Sequence, residues 1–232
     1  MKLWKRVVLG VVIVIVTLVA ALCVWQCSNI IAVWKAMNST SEQIAVEMNE
    51  NKKELEEQLK QDHSTIISDF TAEEERNIIK GELSYEDAVK ALTERYENKK
   101  NEANANASTN AGSDNSAEID QLIGDKIVQL YSLKAYYLGQ LGQIEASVKK
   151  EYLKLPKEKR NLVGKKALVD KYMGQALGLM DKCDKEVASV LKELESGLKK
   201  LNADTSVVKR IKQSYENEKN LKKAYYVSLL DE

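Results

Sequence analysis

Residues 119–155 read IDQLIGDKIVQLYSLKAYYLGQLGQIEASVKKEYLKL, and the spacing of their apolar side chains decides the fold. Leu130, Leu133, Tyr137, Leu141, Ile144, Val148, Tyr152 and Leu155 form a series whose members repeat eleven residues on, Leu130 with Leu141, Leu133 with Ile144 and Tyr137 with Val148. Ile119 and Leu122 extend it backward, and Lys126 is its one charged member. Eleven residues over three turns is close to the natural helical period, so the stripe stays on one face of a nearly straight helix. The next segment obeys the same rule through Leu168, Tyr172, Ala176, Leu179, Cys183, Val187, Val190, Leu194, Leu198 and Leu201. Two consecutive helices with one stripe each bury those stripes against each other.

Pro156 marks the break between them, because proline cannot continue a helix that precedes it. Asn202-Ala203-Asp204-Thr205 closes the second helix and caps a third, which offers Val208, Ile211, Tyr215, Leu221, Tyr225 and Leu229. Up-down-up packing into an antiparallel three-helix bundle over residues 118–232 is the expected architecture. Gly139, Gly142, Gly174 and Gly178 each cost about 1 kcal/mol relative to alanine in a helix. Their presence predicts close approach of a partner backbone or of bulky tyrosines.

Composition extends the helical reading to the whole exposed part. Proline and phenylalanine occur once each, as Pro156 and Phe70, while Ala, Leu, Glu, Lys and Gln are plentiful. The fold class expected is all-α. The formal net charge is zero, but residues 35–100 carry 10 basic against 16 acidic side chains and residues 118–232 carry 22 against 17. Three cysteines (Cys23, Cys27 and Cys183) are too few for a disulfide scaffold.

The N-terminus has a different character. Lys2, Lys5 and Arg6 precede Val7–Trp25, nineteen residues without a charge. A membrane span needs about 20 apolar residues. Trp4 stands before this run, with Trp25 and Trp34 at or past its far end, as indoles at two interfaces would. Residues 1–6 are thus expected in the cytoplasm and 7–34 as a transmembrane helix with its interfacial flank. Trp4, Lys5, Arg6, Trp25 and Trp34 form the anchor, and Ser41 onward lies outside, because only Lys35 is basic just beyond the span. Val19-Ala20-Ala21 also fits a signal-peptide cleavage site, so secretion after cleavage near Ala21 is the competing outcome.

Between anchor and bundle, residues 41–99 read as a helical stalk. Thr40-Ser41-Glu42-Gln43 has the form of a capping box, and Ala45, Met48, Leu55, Leu59 and Ile66 draw a thin coiled-coil-like seam, interrupted by Lys52 and Asp62. Thr71-Ala72-Glu73-Glu74 and Ser84-Tyr85-Glu86-Asp87 each place a hydroxyl three residues before an acid, with Gly81 between them as a helix terminator. They predict a short helix, a tight turn and a second helix carrying Ala88, Leu92 and Tyr96. Residues 73–96, around Ile78-Ile79-Lys80-Gly81-Glu82-Leu83-Ser84-Tyr85-Glu86-Asp87, resemble the SHOCT-type short helical hairpins of bacterial membrane proteins. The resemblance covers about a tenth of the chain, departs from the family at Ala88 where an aromatic residue is usual, and implies no chemistry. Residues 100–117, within NKKNEANANASTNAGSDNSA, hold no apolar side chain larger than alanine, which predicts a flexible linker.

Chemistry-bearing residues are sparse. His63, the one histidine, has no second ligand at metal spacing and is expected to be a surface residue. Cys183 falls on the apolar series and is expected to be a buried, inert thiol. The sequence therefore predicts no catalysis, no cofactor, no metal, no nucleic-acid partner and no identified small-molecule substrate. It predicts a membrane-anchored extracytoplasmic scaffold or adaptor, with the bilayer and a protein partner or second copy as its contacts. A ligand- or envelope-sensing module acting through a separate membrane partner is the alternative. Adjacent helix residues diverge by about 100 degrees, so each of the pairs Tyr136/Tyr137 and Tyr225/Tyr226 sends one member to the core. Tyr136 and Tyr226 are the members expected at a partner-binding rim.

Overall fold

The computed structural model describes residues 35, 39–107, 114–159 and 162–228. Regular structure among them is helical: α1 (Ser41–Asp62), α2 (Ala72–Lys80), α3 (Tyr85–Ala107), α4 (Asp114–Lys154), a 3-10 turn (Lys157–Lys159), α5 (Leu162–Lys200) and α6 (Ser206–Ser228). The segment 7–34 lies outside the described residues, and none of the described helices is long and apolar enough to cross a membrane.

The helix ends follow their sequence signals. Thr71 Oγ1 accepts the Glu74 N–H at 3.2 Å, and the Glu74 carboxylate accepts the Thr71 N–H at 2.8 Å. Thr40 and Gln43 make the same reciprocal pair at the start of α1, and Ser84 Oγ accepts the Asp87 N–H at 3.1 Å before α3. Each satisfies backbone donors that the first turn leaves without a helical acceptor. Gly81 closes α2 at φ 73°, a left-handed conformation that glycine adopts without steric cost. Asn202, at φ 52°, turns the chain after α5, and the Ala203 N–H returns to the Leu198 carbonyl at 2.9 Å.

The described residues fall into two compact units, those up to residue 50 with those from 215 onward, and those within 51–214. In the first, Ile44, Leu221 and Ala224 form a small buried core, with Met48 and Tyr225 packed against it. In the second, α4 is the central element, with α5 along one side and α2 and α3 along another. The α4–α5 pair is antiparallel, as pairs along its length show: Asn115 Nδ2 donates to the Leu201 carbonyl at 3.0 Å, Lys126 meets Glu193 at 2.6 Å, and Lys171 meets Glu151 at 2.7 Å.

This arrangement departs from the three-helix bundle expected over residues 118–232. The eleven-residue series is half-buried along most of α4, and its continuation on α5 supplies the buried Val187, Val190, Leu194 and Leu198. But α4 carries a second stripe, Ile123, Ile127, Tyr131, Ala135 and Leu138, which is more deeply buried than the first. Two backbone approaches account for that burial. A Cβ at Gly124 would lie 2.7 Å from the Tyr96 ring of α3, and one at Gly142 would lie 1.9 Å from the Ile79 carbonyl oxygen of α2. The hairpin expected in a separate stalk therefore packs on α4, and the end of α6 belongs to the other unit.

Three smaller expectations change with it. Helix covers residues 100–107 and 114–117 of the expected flexible linker, and 108–113 lie outside the described residues. Alanine-rich, proline-free sequence extends a helix already nucleated by packing. In α1, Ala45 is exposed and Ile44 is buried instead, while Leu59 of α1 and Ile66 of the loop that follows it are fully buried within the second unit rather than on a seam open to a second copy. Of the four helical glycines, Gly142 marks a close approach, Gly139 has only an ordinary 3.8 Å contact with Tyr85, and Gly174 and Gly178 have nothing within 4 Å.

Candidate functional site

Tyr136 is placed where adjacent residues on a helix must diverge. Tyr137 is 9% exposed and Tyr136 38% exposed, so the first enters the α4–α5 seam and the second stays at the rim. Tyr136 is held edge-on between two rings, Tyr85 of α3 at 5.4 Å and Tyr137 at 5.2 Å between centroids. Such edge-to-face pairs each contribute about 0.5–1.5 kcal/mol beyond area burial. Burial and the Glu186 carboxylate across the seam push the Tyr137 hydroxyl well above the ordinary tyrosine range. Tyr136 is therefore a pre-ordered aromatic surface, Tyr85 beside it being equally exposed at 38%. Tyr226 lies in the other unit, half-buried and edge-on to Tyr225 at 5.6 Å. The two rim tyrosines thus belong to separate units.

The polar contacts that the sequence did not disclose are concentrated where loops meet α4. Asp120 Oδ1 lies 2.9 Å from His63 Nδ1, Asp120 Oδ2 accepts from the Ser64 N–H at 3.0 Å and from its hydroxyl at 2.7 Å, and Thr65 Oγ1 donates to the Asp120 carbonyl at 2.6 Å. Burial alone would raise the Asp120 carboxyl, but His63 and Ser64 outweigh it and hold it below the ordinary aspartate value. His63, expected at the surface, is half-buried in this lock. Beside it Arg210 Nη2 reaches Asp62 at 2.9 Å, and an open groove runs past His63, Ile119, Ser206 and Val207. The residues that interrupt the α1 seam are thereby explained, since Asp62 pairs with Arg210 and Lys52 pairs with the buried Glu75. Lys134 of α4 joins that second cluster, 2.5 Å from Asp69 and 2.7 Å from Glu75. Both clusters tie loop 63–71 to α4. Further along, Tyr96 donates to Asp125 at 2.8 Å, and burial together with that carboxylate raises its pKa far above 10.

The N-terminal reading gains support from outside the chain. A family described as "Transmembrane domain of unknown function (DUF3566)" matches residues 2–71. That match includes the charge-free run Val7–Trp25 and stops at Thr71, the cap of α2. It covers less than a third of the chain and supports a membrane location without giving an orientation. No family of the short-hairpin type matches residues 73–96, although the helix-turn-helix expected there is formed. No curated protein and no solved structure matches the chain.

The anchor residues Trp4, Lys5, Arg6, Trp25 and Trp34 lie outside the described residues, as do Cys23 and Cys27. Cys183 is half-buried in α5, less enclosed than the apolar series implied, because it falls in the stretch between the buried Leu168 and Val187 where no described side chain is buried. The lock at Asp120 had one signal in the sequence, the lone His63 beside a run of hydroxyls, Ser64-Thr65. What pairs with it lies 57 residues away, at a spacing no local pattern encodes.

Proposed function

We propose that the chain is a membrane-anchored, extracytoplasmic helical scaffold or adaptor that mediates a protein–protein or envelope interaction and catalyses no reaction. The observation that carries this reading is the division of labour along α4. Its inner half is committed on two faces to α2, α3 and α5, and its outer half continues with α5 as a two-helix arm. A packed helical unit whose two longest helices continue as a pair suits presentation of a surface. The family resemblance over residues 2–71 and the charge-free run support attachment to a membrane. The basic residues before that run favour an inside N-terminus. Tyr85 and Tyr136 are the aromatic pair through which a protein partner would be engaged, since rigid, half-exposed tyrosines are enriched among interface hot spots.

The sensing alternative draws on the groove beside His63 and Arg210, which mixes apolar and charged side chains as a ligand site does. Protease added to intact cells should degrade the region after Ser41, and full protection would overturn the orientation. Photocrosslinking from position 140, one helical turn from Tyr136 on α4, in the native membrane should capture a discrete protein, and this capture should be lost in Tyr136→Ser. Capture that is unchanged by Y136S but lost in Arg210→Ala would favour the sensing alternative.

A further inference from the structure

Charge along the α4–α5 pair is unevenly distributed. Residues 149–171, the tip where the two helices are joined, hold nine basic and three acidic side chains, a net charge of +6 that exceeds the whole surplus of residues 118–232. Elsewhere on these helices Lys126 pairs with Glu193, Lys134 with Asp69 and Glu75, and Lys199 with Glu195, while the exposed Lys182, Lys185, Lys192 and Lys200 are interleaved in sequence with Asp181, Asp184, Glu186, Glu193 and Glu195. At the tip, Lys149, Lys150, Lys154, Lys157 and Lys159 are all exposed, and among the described residues none of the five has an acid within ion-pair distance. Glu151, the half-buried acid among them, is occupied by Lys171 and by the Tyr172 hydroxyl at 2.9 Å.

An apolar side chain stands in the middle of this charge. Leu153 is 56% exposed, the most exposed large hydrophobic residue described in its unit. Lys149 and Lys150 lie one helical turn before it on its own face of α4, and Lys154 follows it on the adjoining face. Lysine stems are themselves apolar, and a cluster of them around one aliphatic residue combines electrostatic attraction to phosphate with a group that enters the acyl boundary. Nucleic acid fits less well. Its binders present stacking aromatics and arginine, whereas Tyr152 and Tyr172 are half-buried and Arg160 is the one arginine of the stretch.

We propose that the tip of the α4–α5 pair, through Lys149, Lys150, Lys154, Lys157, Lys159 and Leu153, docks on the anionic phospholipid surface of a membrane. This rests on the membrane location in the proposed function but not on its orientation or its tyrosine surface. The lysines supply attraction that falls off within about one Debye length, and Leu153 adds a short-range apolar contact. Each lysine removed should weaken binding about fivefold.

The test uses the full chain in phosphatidylcholine nanodiscs, mixed with separate vesicles of phosphatidylcholine alone or with phosphatidylglycerol added, and measures co-flotation. Discs should float with the phosphatidylglycerol vesicles only, and molar salt should release them. K149Q/K150Q/K154Q/K157Q/K159Q should abolish flotation, and Leu153→Ser should weaken it. K192Q/K199Q/K200Q, at the opposite end of α5, should leave it unchanged, with circular dichroism reporting intact helix in every variant. Equal flotation with both vesicle types, or flotation that survives the fivefold lysine replacement, overturns the proposal. So does tighter binding of the same discs to duplex DNA than to the vesicles. None of these outcomes alters the protease or crosslinking results, so the lipid surface and the scaffold reading can fail separately.

Discussion

At the scale of single residues, the glycines of α4 and α5 make opposite demands. Gly142 sits where any Cβ would fall 1.9 Å from the Ile79 carbonyl oxygen, a backbone atom that cannot rotate away. Gly142→Ala must push α2 off α4 and should cost about 1–3 kcal/mol through overpacking. Gly174 and Gly178 have nothing within 4 Å, and alanine there should stabilise the helix by up to about 1 kcal/mol. Urea denaturation followed by circular dichroism should therefore move in opposite directions for G142A and G178A, and a shared direction would contradict the packing. Asp120 gives a pH-dependent case. Its carboxyl is held below the ordinary aspartate value, so folding favours the ionised form. The stabilisation is complete above the unfolded value of about 3.9 and vanishes as pH falls through the lower folded value. Asp120→Asn should be less stable than the parent at neutral pH, with the gap closing below about pH 3.9. Urea midpoints across that range test it, and a gap that stays constant in acid would mean the carboxylate charge is irrelevant.

At the scale of elements, α4 has two buried faces of unequal value. Ile127 on the α2–α3 face is 1% exposed, whereas Leu130 on the eleven-residue series is half-buried. Ile127→Ala should cost about 2–5 kcal/mol, the range for a closed core site, and Leu130→Ala distinctly less; the reverse order in denaturation midpoints would restore the eleven-residue face as the main core. The comparison also shows what the sequence could disclose. Capping boxes at Thr40 and Thr71, the terminator Gly81 and the pairing of α4 with α5 were legible, because each rests on local spacing or on a repeat sustained over many turns. Ile123, Ile127, Tyr131, Ala135 and Leu138 are also helically spaced, but two overlapping stripes leave little contrast between faces, and only the lower-burial stripe was read. The attachment of loop 63–71 to α4 through Asp120 and Lys134 was not legible, since pairing across more than fifty residues leaves no periodic trace. The rim position of Tyr136 was legible from helix geometry alone, whereas its bracing by Tyr85 depends on where α3 lands.

At the scale of the whole molecule, stability cannot be uniform along helices that outrun the body they belong to. α4 spans 41 residues and α5 spans 39, about 60 Å each at 1.5 Å per residue. Among the described side chains none of α4 is buried beyond Gly142, and none of α5 is buried between Leu168 and Val187. Past that boundary α4 continues alongside α5, whereas its inner part also packs on α2 and α3. Opening the arm exposes little apolar surface and leaves the inner core intact, so its amides should exchange through local opening, while those of the body wait for global unfolding. Hydrogen–deuterium exchange on the full chain should show slow peptides over residues 123–142 and 187–198 and faster ones over 144–154 and 171–183. Equal protection would mean that the arm is covered, either by a second copy or by the chain's own remaining residues, and dilution separates those two, because only a second copy is lost as concentration falls. Fast exchange confined to the arm would fit a body that folds without its partner and an arm that becomes ordered at the surface it meets.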